Sequence, residues 1–384
     1  MPRLPIDDMT GIGLEKAWMS LVVSAFPRNV PTINEVAPDP TGVPGVFSKS
    51  FLEYLDFFLN ATRPAAYGKS FSALEEKAKK NRYYPGRLFV TNTISFVEER
   101  RFVCAFALEA DEKLIEPQHG GNQSVSITHP WTALSAEHCF AHLTWGWTYQ
   151  EGMPGNNVPC SLPILGNIAG KHRAETDKAI FVGTRINLNG VRFDSMPNGV
   201  LALAYRRLKV QFIEALPGQV RENLFYRPYS RGFSTLSDQA YLEEKFPDLA
   251  YLLGPLMPEL LRCRLLVLDH VGTTLAFALA ANVPTVCYWD PEVWPITQEA
   301  QAAFVRLKAC GVLFENPQSA ASHIGEIWHD VPGWWQSPTV ASAVAQWRDA
   351  FANSSPHWRV GLLKTLYKLS AASNQVPNTG KPDV

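Results

Sequence analysis

The stretch Leu265–Asp290, LLVLDHVGTTLAFALAANVPTVCYWD, reads without a gap as strand, tight turn, helix and second strand. No other part of the chain constrains the fold as much, because parallel strands joined by a helix need a sheet covered on both faces. An apolar run ends at Leu268, the polar pair Asp269-His270 marks the end of the strand, and Gly272-Thr273-Thr274 opens the helix. The first amides of such a helix lack intrahelical acceptors and sit at the positive end of its dipole, which suits an anion. A second polar turn, Gln118-His119-Gly120-Gly121, closes another predicted strand. Two such turns in two halves of the chain predict a cleft between domains.

The same alternation runs through most of the chain. RLFVTN, KLIEPQHG, FAHLTWGW, KAIFVGT and NLFYRPY read as strands, and SFVEERRFVCAFALEA, Ala202–Leu216, Asp238–Phe246 and the run from Gln298 to Ala309 as helices. Short connections between alternating strands and helices argue for an α/β fold of two successive doubly wound units with parallel sheets. Phe47–Lys80 is helical in character, Pro154–Asn167 reads as a linker or long loop, and the chain beyond Ser337 is nearly all helix to about Ser370. The expected domains are 1–160, with a helical and irregular extension at its start, 161–355, and 356–384 as a helix and disordered tail.

A formal net charge of -1 gives no general pull toward nucleic acid, so any anion site must be local. Six cysteines without a CxxC pair read as buried free thiols of a reducing compartment. With no secretory signal and no run long enough to cross a bilayer, the expected location is cytoplasmic. The helix RVGLLKTLYKL combines apolar and basic residues suited either to packing or to peripheral contact with the inner membrane.

In open α/β sheets ligands collect beyond the carboxyl ends of strands, and this position selects the candidate site residues. Thr273, Thr274, Gly272, His270 and Asp269 are candidates for nucleotide phosphate binding, against the plainer reading of a threonine-capped turn. His119 is a candidate general base, with Glu137 the carboxylate alternative, and Gly120 and Gly121 let a substrate approach the backbone. Gly183, Thr184 and Arg185 follow one strand and Arg227 another, and a guanidinium fork suits donor anions. Asn92 and Asp290 are candidate substrate contacts, whereas the tryptophans read mainly as core. The spacing of His129, His138 and His142 forms no zinc motif, and no Walker loop, GxGxxG, GxSxG or DxD pattern occurs. These absences favour a nucleotide donor used without an obligatory metal or other cofactor.

The ordered series TNTISFVEE, QHGGNQS, LTWGW, SLPILGN, DHVGTTLAFALAANVPTVCYWDPEVW and ACGVLFENPQSAASHIGEIWHDVPGWWQS resembles bacterial transferases found with surface-polysaccharide genes, from about Arg87 to Trp358. That family resembles glycosyltransferases of the GT-B architecture. The resemblance implies two facing Rossmann-like domains, the second binding the nucleotide, and a C-terminal helical segment returning to the first. It implies sugar transfer from a nucleotide-activated donor to a surface glycan. In Kdo and sialic-acid transferases, paired hydroxyls at a helix start hold the CMP phosphate, which Thr273 and Thr274 would match. In teichoic-acid glycerophosphate polymerases a His-Gly motif is matched by His119-Gly120, which implies the alternative of CDP-polyol phosphate transfer. A non-catalytic glycan- or nucleotide-binding protein is the alternative outside enzymes. This chain departs from the pattern in its shorter N-terminal part and in Tyr226-Arg227-Pro228-Tyr229-Ser230-Arg231, where many members have Tyr-Pro-His-Asp.

Overall fold

The computed structural model describes residues 49–62, 70–81, 88–91, 98–127, 132, 139–149, 155–184, 186, 197, 199–229 and 238–372. The chain divides into two compact units, Met1–Glu116 with Ser370–Asn374, and Pro117–Leu369 with Gln375–Val384.

In the first unit, helices α1 (Lys49–Thr62) and α2 (Phe71–Asn81) precede strand β1 (Leu88–Val90), helix α3 (Glu98–Glu109) and strand β2 (Lys113–Pro117). β1 pairs in parallel with β2, with α3 as the crossover. Ala78 of α2 packs with Phe102, Val103 and Phe106 of α3. This buried face is the i, i+1, i+4 stripe expected of an amphipathic helix.

The second unit opens with β3 (Ala141–Thr144) and β4 (Asn157–Pro159), also parallel. β3 ends two residues before Gly146, whose φ of +131° turns the chain; a Cβ there would lie 2.4 Å from the Asp349 carbonyl oxygen. The expectation that Pro154–Asn167 is a loop is corrected, since it contains β4 and a helical turn, Pro163–Gly166. Its prolines obscured this, yet Pro159 ends a strand and Pro163 opens a helix, two places where a missing N–H costs little.

The rest of this unit is one six-stranded parallel sheet: β5 (Ala179–Val182), β6 (Leu224–Arg227), β7 (Ala250–Tyr251), β8 (Leu265–Leu268), β9 (Thr285–Tyr288) and β10 (Leu313–Phe314), in the order β10-β9-β8-β5-β6-β7. Helices α4 (Gly199–Ala215), α5 (Asp238–Lys245), α6 (Thr273–Ala281) and α7 (Gln298–Ala309) lie between the strands, and α8 (Pro317–Ile327) follows β10. The core lies where Phe181, Tyr226, Val267 and Tyr288 of the strands meet Phe212 and Ile213 of α4 and Ile324 of α8. Helices α9 (Pro338–Phe351) and α10 (Trp358–Ala371) follow. α10 buries Trp358, Leu362 and Leu366, and Gly166 leaves room for the Trp358 indole, 2.3 Å from where a Cβ would stand.

The protein is therefore α/β with parallel sheets, and among the described residues no helix is long and apolar enough to cross a membrane. All six cysteines are free, and burial pushes the Cys104 and Cys160 thiols up to about 12 and about 11, which leaves them unreactive. Of the tryptophans read mainly as core, Trp145, Trp147, Trp289, Trp294 and Trp335 are buried, and Trp334 is partly buried against the core.

Candidate functional site

The strand order reverses between β5 and β8: from β5 the chain adds β6 and β7 on one side, then crosses to add β8, β9 and β10 on the other. Crossovers leave in opposite directions there, opening a crevice beyond the strand ends, the usual ligand position in such sheets. Residues 183–184 follow β5 and residues 269–274 follow β8, so the topology brings these two sequence-selected segments together.

They are tied by one carboxylate. Asp269 is fully buried, and its Oδ1 accepts the Thr184 amide at 2.8 Å. His270 Nδ1 lies 2.9 Å from the same oxygen. The Asp269 Oδ2 lies 3.4 Å from Lys209 Nζ, which also pairs with Asp238 and is buried on α4. Arg206 adds a second cation to Asp238 at 2.8 Å. Burial alone would raise the Asp269 carboxyl, but Lys209 and then His270 outweigh it and hold it below the ordinary value. Burial alone would likewise lower the Lys209 ammonium, yet Tyr226, Asp269 and Asp238 around it raise it. One buried cation, one partly buried cation and two buried carboxylates thus form a compensated cluster under the crevice.

Above the cluster stands the helix start. Gly272 precedes α6, with Thr273 its first residue, so the plainer reading of a threonine cap does not hold. The Gln118–Gly121 turn lies directly against it: the Gly121 amide donates to Thr273 Oγ1 at 3.1 Å. Gln118 and Gln123 fix this turn from below. Gln118 is buried, its Oε1 accepts the Trp145 amide at 2.7 Å and Trp147 Nε1 at 2.9 Å, and its Nε2 donates to the Gly120 carbonyl at 2.9 Å. Gln123 Oε1 accepts the His119 and Gly120 amides. The expected cleft with these two turns as opposing walls is therefore corrected. They belong to one unit and form one wall.

This wall has a direct test. Gln118→Leu strands the Trp145 and Trp147 donors in a buried site, and is expected to lower the melting temperature by about 5–10 °C in scanning calorimetry. An unchanged melting temperature would show that the turn is not held this way.

The individual candidates fare differently. Thr273 Oγ1 is engaged by Gly121, whereas the Thr274 hydroxyl has no partner among the described residues and is half-buried at the helix start. Asp269 is inaccessible to a ligand and acts as a tether. Gly183 is a packing position, since a Cβ there would lie 2.0 Å from Tyr226 Oη. Thr184 is buried and contributes its backbone. The Arg227 fork is occupied by the Leu252 and Gly254 carbonyls at 3.3 and 2.7 Å, so it does not stand ready as a clamp. Asp290 Oδ1 accepts the Glu292 amide at 2.9 Å, and His119 is exposed beside Gly120. Asn92, Glu137 and Arg185 lie outside the described residues, as do His129, His138 and Arg231.

Sequence reading missed Lys209 and Asp238. The signal was present: Lys209 shares a helical face with Tyr205, Phe212, Ile213 and Leu216, all buried. A lysine on an apolar face implies a buried carboxylate partner. Tyr205 belongs to the same cluster, its Oη accepting Trp294 Nε1 at 2.7 Å, with the Trp294 ring 6.1 Å from His270.

Among solved structures, the chain is similar to α,α-trehalose 6-phosphate synthase from Burkholderia multivorans, at 11% identity over 83% of this chain and 78% of that one, with a TM-score of 0.45. It is similar to MurG of Acinetobacter baumannii, at 10% identity over 78% and 77%, TM-score 0.40. The spinosyn forosaminyltransferase SpnP aligns at 12% identity over 78% and 79%, TM-score 0.39. No curated protein matches the chain. Residues 24–366 match the LIC12162 family transferase, and the chain belongs to that family.

Proposed function

We propose that this transferase moves a sugar from a nucleotide-activated donor to a bacterial surface glycan, with the donor phosphate at the start of α6. The observation that carries this reading is the wall at the β5–β8 switch point, where Gly121 is bound to Thr273 and the adjacent Thr274 hydroxyl is left open. An open hydroxyl and free helix amides offer donors to a phosphate as charge develops on it, which is the electrostatic task of a glycosyl transfer. A CMP-activated ulosonic acid is the donor class favoured by the resemblance of the motif series. The chemistry needs no resident cofactor in this reading, and the acceptor glycan places the enzyme in the cytoplasm at the inner membrane surface.

The test is a thermal-shift screen of CMP, CDP, UDP, GDP and their sugars. At about 100 times its dissociation constant a binding nucleotide stabilises by about 2.7 kcal/mol. Thr274→Val keeps the shape of the side chain and removes its hydroxyl, and is expected to weaken the selected nucleotide by roughly tenfold or more. A screen in which no nucleotide stabilises the protein would sink the proposal. CDP-glycerol belongs in the panel, because a phosphodiester product would replace sugar transfer with polyol-phosphate transfer.

A further inference from the structure

The buried carboxylate constrains His270 more tightly than donor binding requires. The Asp269 Oδ1 that faces His270 Nδ1 also receives the Thr184 amide, and an amide N–H can only donate. Lys209 keeps that carboxyl ionised, so it has no proton to offer. Nδ1 must then carry the hydrogen in both charge states of the ring. In the neutral ring the lone pair is on Nε2, which has no hydrogen-bond partner among the described residues. A lone pair accepts the proton of a hydroxyl and repels a phosphate oxygen.

We propose that His270 is the catalytic base of this transferase, with Asp269 as its positioning residue. The inference rests on the glycosyl-transfer reading above, and takes the base role from His119, which is exposed, and from Glu137. In the step, the acceptor hydroxyl gives its proton to His270 Nε2 while its oxygen forms a bond to the anomeric carbon. The bond from that carbon to the donor phosphate oxygen breaks, and its electron pair leaves on the phosphate. The imidazolium produced faces the Asp269 carboxylate. The other titratable and charged groups around this pair are Lys209 and Tyr205 on α4, Asp238 on α5, Tyr226 on β6 and Tyr288 on β9. Burial first, then the Asp269 charge, raises the Tyr205 and Tyr288 phenols, so they stay protonated beside the cluster. Lys209 and His270 share the Asp269 carboxylate, through its Oδ2 and Oδ1 respectively.

Two measurements on the full chain test this. The first needs no substrate: nitrogen NMR of histidine-labelled protein, with His270 assigned by the signal lost in His270→Gln. The neutral ring is expected to carry its proton on Nδ1, and Asp269→Asn is expected to populate the Nε2–H form, as loss of an orienting carboxylate does. An Nε2–H ring in the unmodified protein overturns the assignment. The second follows nucleotide release when water replaces the acceptor, using the nucleotide sugar selected by the thermal-shift screen. His270→Gln is expected to lower kcat by about 10²–10⁴-fold while the donor KM stays within about threefold. A raised KM with unchanged kcat makes His270 a donor-binding group and overturns the proposal. Because His270 is only partly buried, this variant is expected to fold even where Asp269→Asn does not. Turnover of no nucleotide sugar sinks the glycosyl-transfer reading itself, whereas turnover unaffected by His270→Gln sinks the base assignment alone.

Discussion

Gly121→Ala is expected to destabilise the second unit by about 2–4 kcal/mol and to abolish the thermal shift produced by the selected nucleotide. A Cβ at Gly121 would lie 2.8 Å from the Gly272 carbonyl oxygen, 2.9 Å from its carbon and 3.0 Å from Thr273 Cα. All three are backbone atoms at the start of α6, so no side-chain rotation relieves the clash. The turn must lift, which breaks the Gly121 amide bond to Thr273 and pulls on Ser124, whose hydroxyl donates to the Gly121 carbonyl at 2.8 Å. It also strains the segment that follows, since Ser126 bridges to Ile296 and the Thr297 amide donates to the Val125 carbonyl. Gly120→Ala is the informative comparison: its Cβ would meet only Thr273 Oγ1, at 3.0 Å, and a hydroxyl can give a few tenths of an ångström. Chemical denaturation should rank Gly121→Ala well below Gly120→Ala, with the latter near the unmodified protein. Equal stabilities would mean that the two turns are not in the contact described.

The difference between these two glycines marks where the sequence stops being readable. The strand-turn-helix grammar of Leu265–Asp290 is local, and β8, α6 and β9 fall where periodicity puts them. The contact between Gly121 and Thr273 joins residues 152 positions apart, and the tether from Thr184 to Asp269 spans 85. Neither turn carries a mark of its partner, so two polar turns at strand ends read as two sites on opposing walls. The order of the strands decides otherwise, and strand order is a property of the whole sheet. Asp269 shows the same limit at one residue. A polar residue ending an apolar strand reads as a ligand contact, because its burial depends on Lys209 from a helix far away in the chain. The position of Thr274 at a helix start, by contrast, was legible, since it is set by its own neighbours.

Lys209→Met is expected to destabilise the protein by about 3–5 kcal/mol near neutral pH, the range for removing one partner of a buried ion pair, and to change how stability depends on pH. In the unmodified protein Asp269 titrates below the ordinary carboxylate value of 3.8, so its contribution is present above that value and is lost as pH falls through the lower folded one. Lys209 titrates above the ordinary lysine value of 10.5, so its contribution is complete below that value and is lost as pH rises through the higher folded one. Between those limits Asp269 and Lys209 give stability little reason to vary. Methionine fills the space of the aliphatic stem and leaves Asp238 and Asp269 buried with Arg206 and His270 as the basic side chains still in contact with them. Desolvation then favours a protonated carboxyl, so the variant should regain stability as pH is lowered toward about 5, where a raised carboxyl takes up its proton more readily than in the unfolded chain. Adding Asp238→Asn removes one of the two buried carboxylate charges and should recover part of the loss without acid. Urea unfolding at pH 5 and pH 8 separates this from a packing defect, which costs the same at both; an equal loss at the two pH values would mean that Lys209 supports the crevice by its bulk and not by its charge.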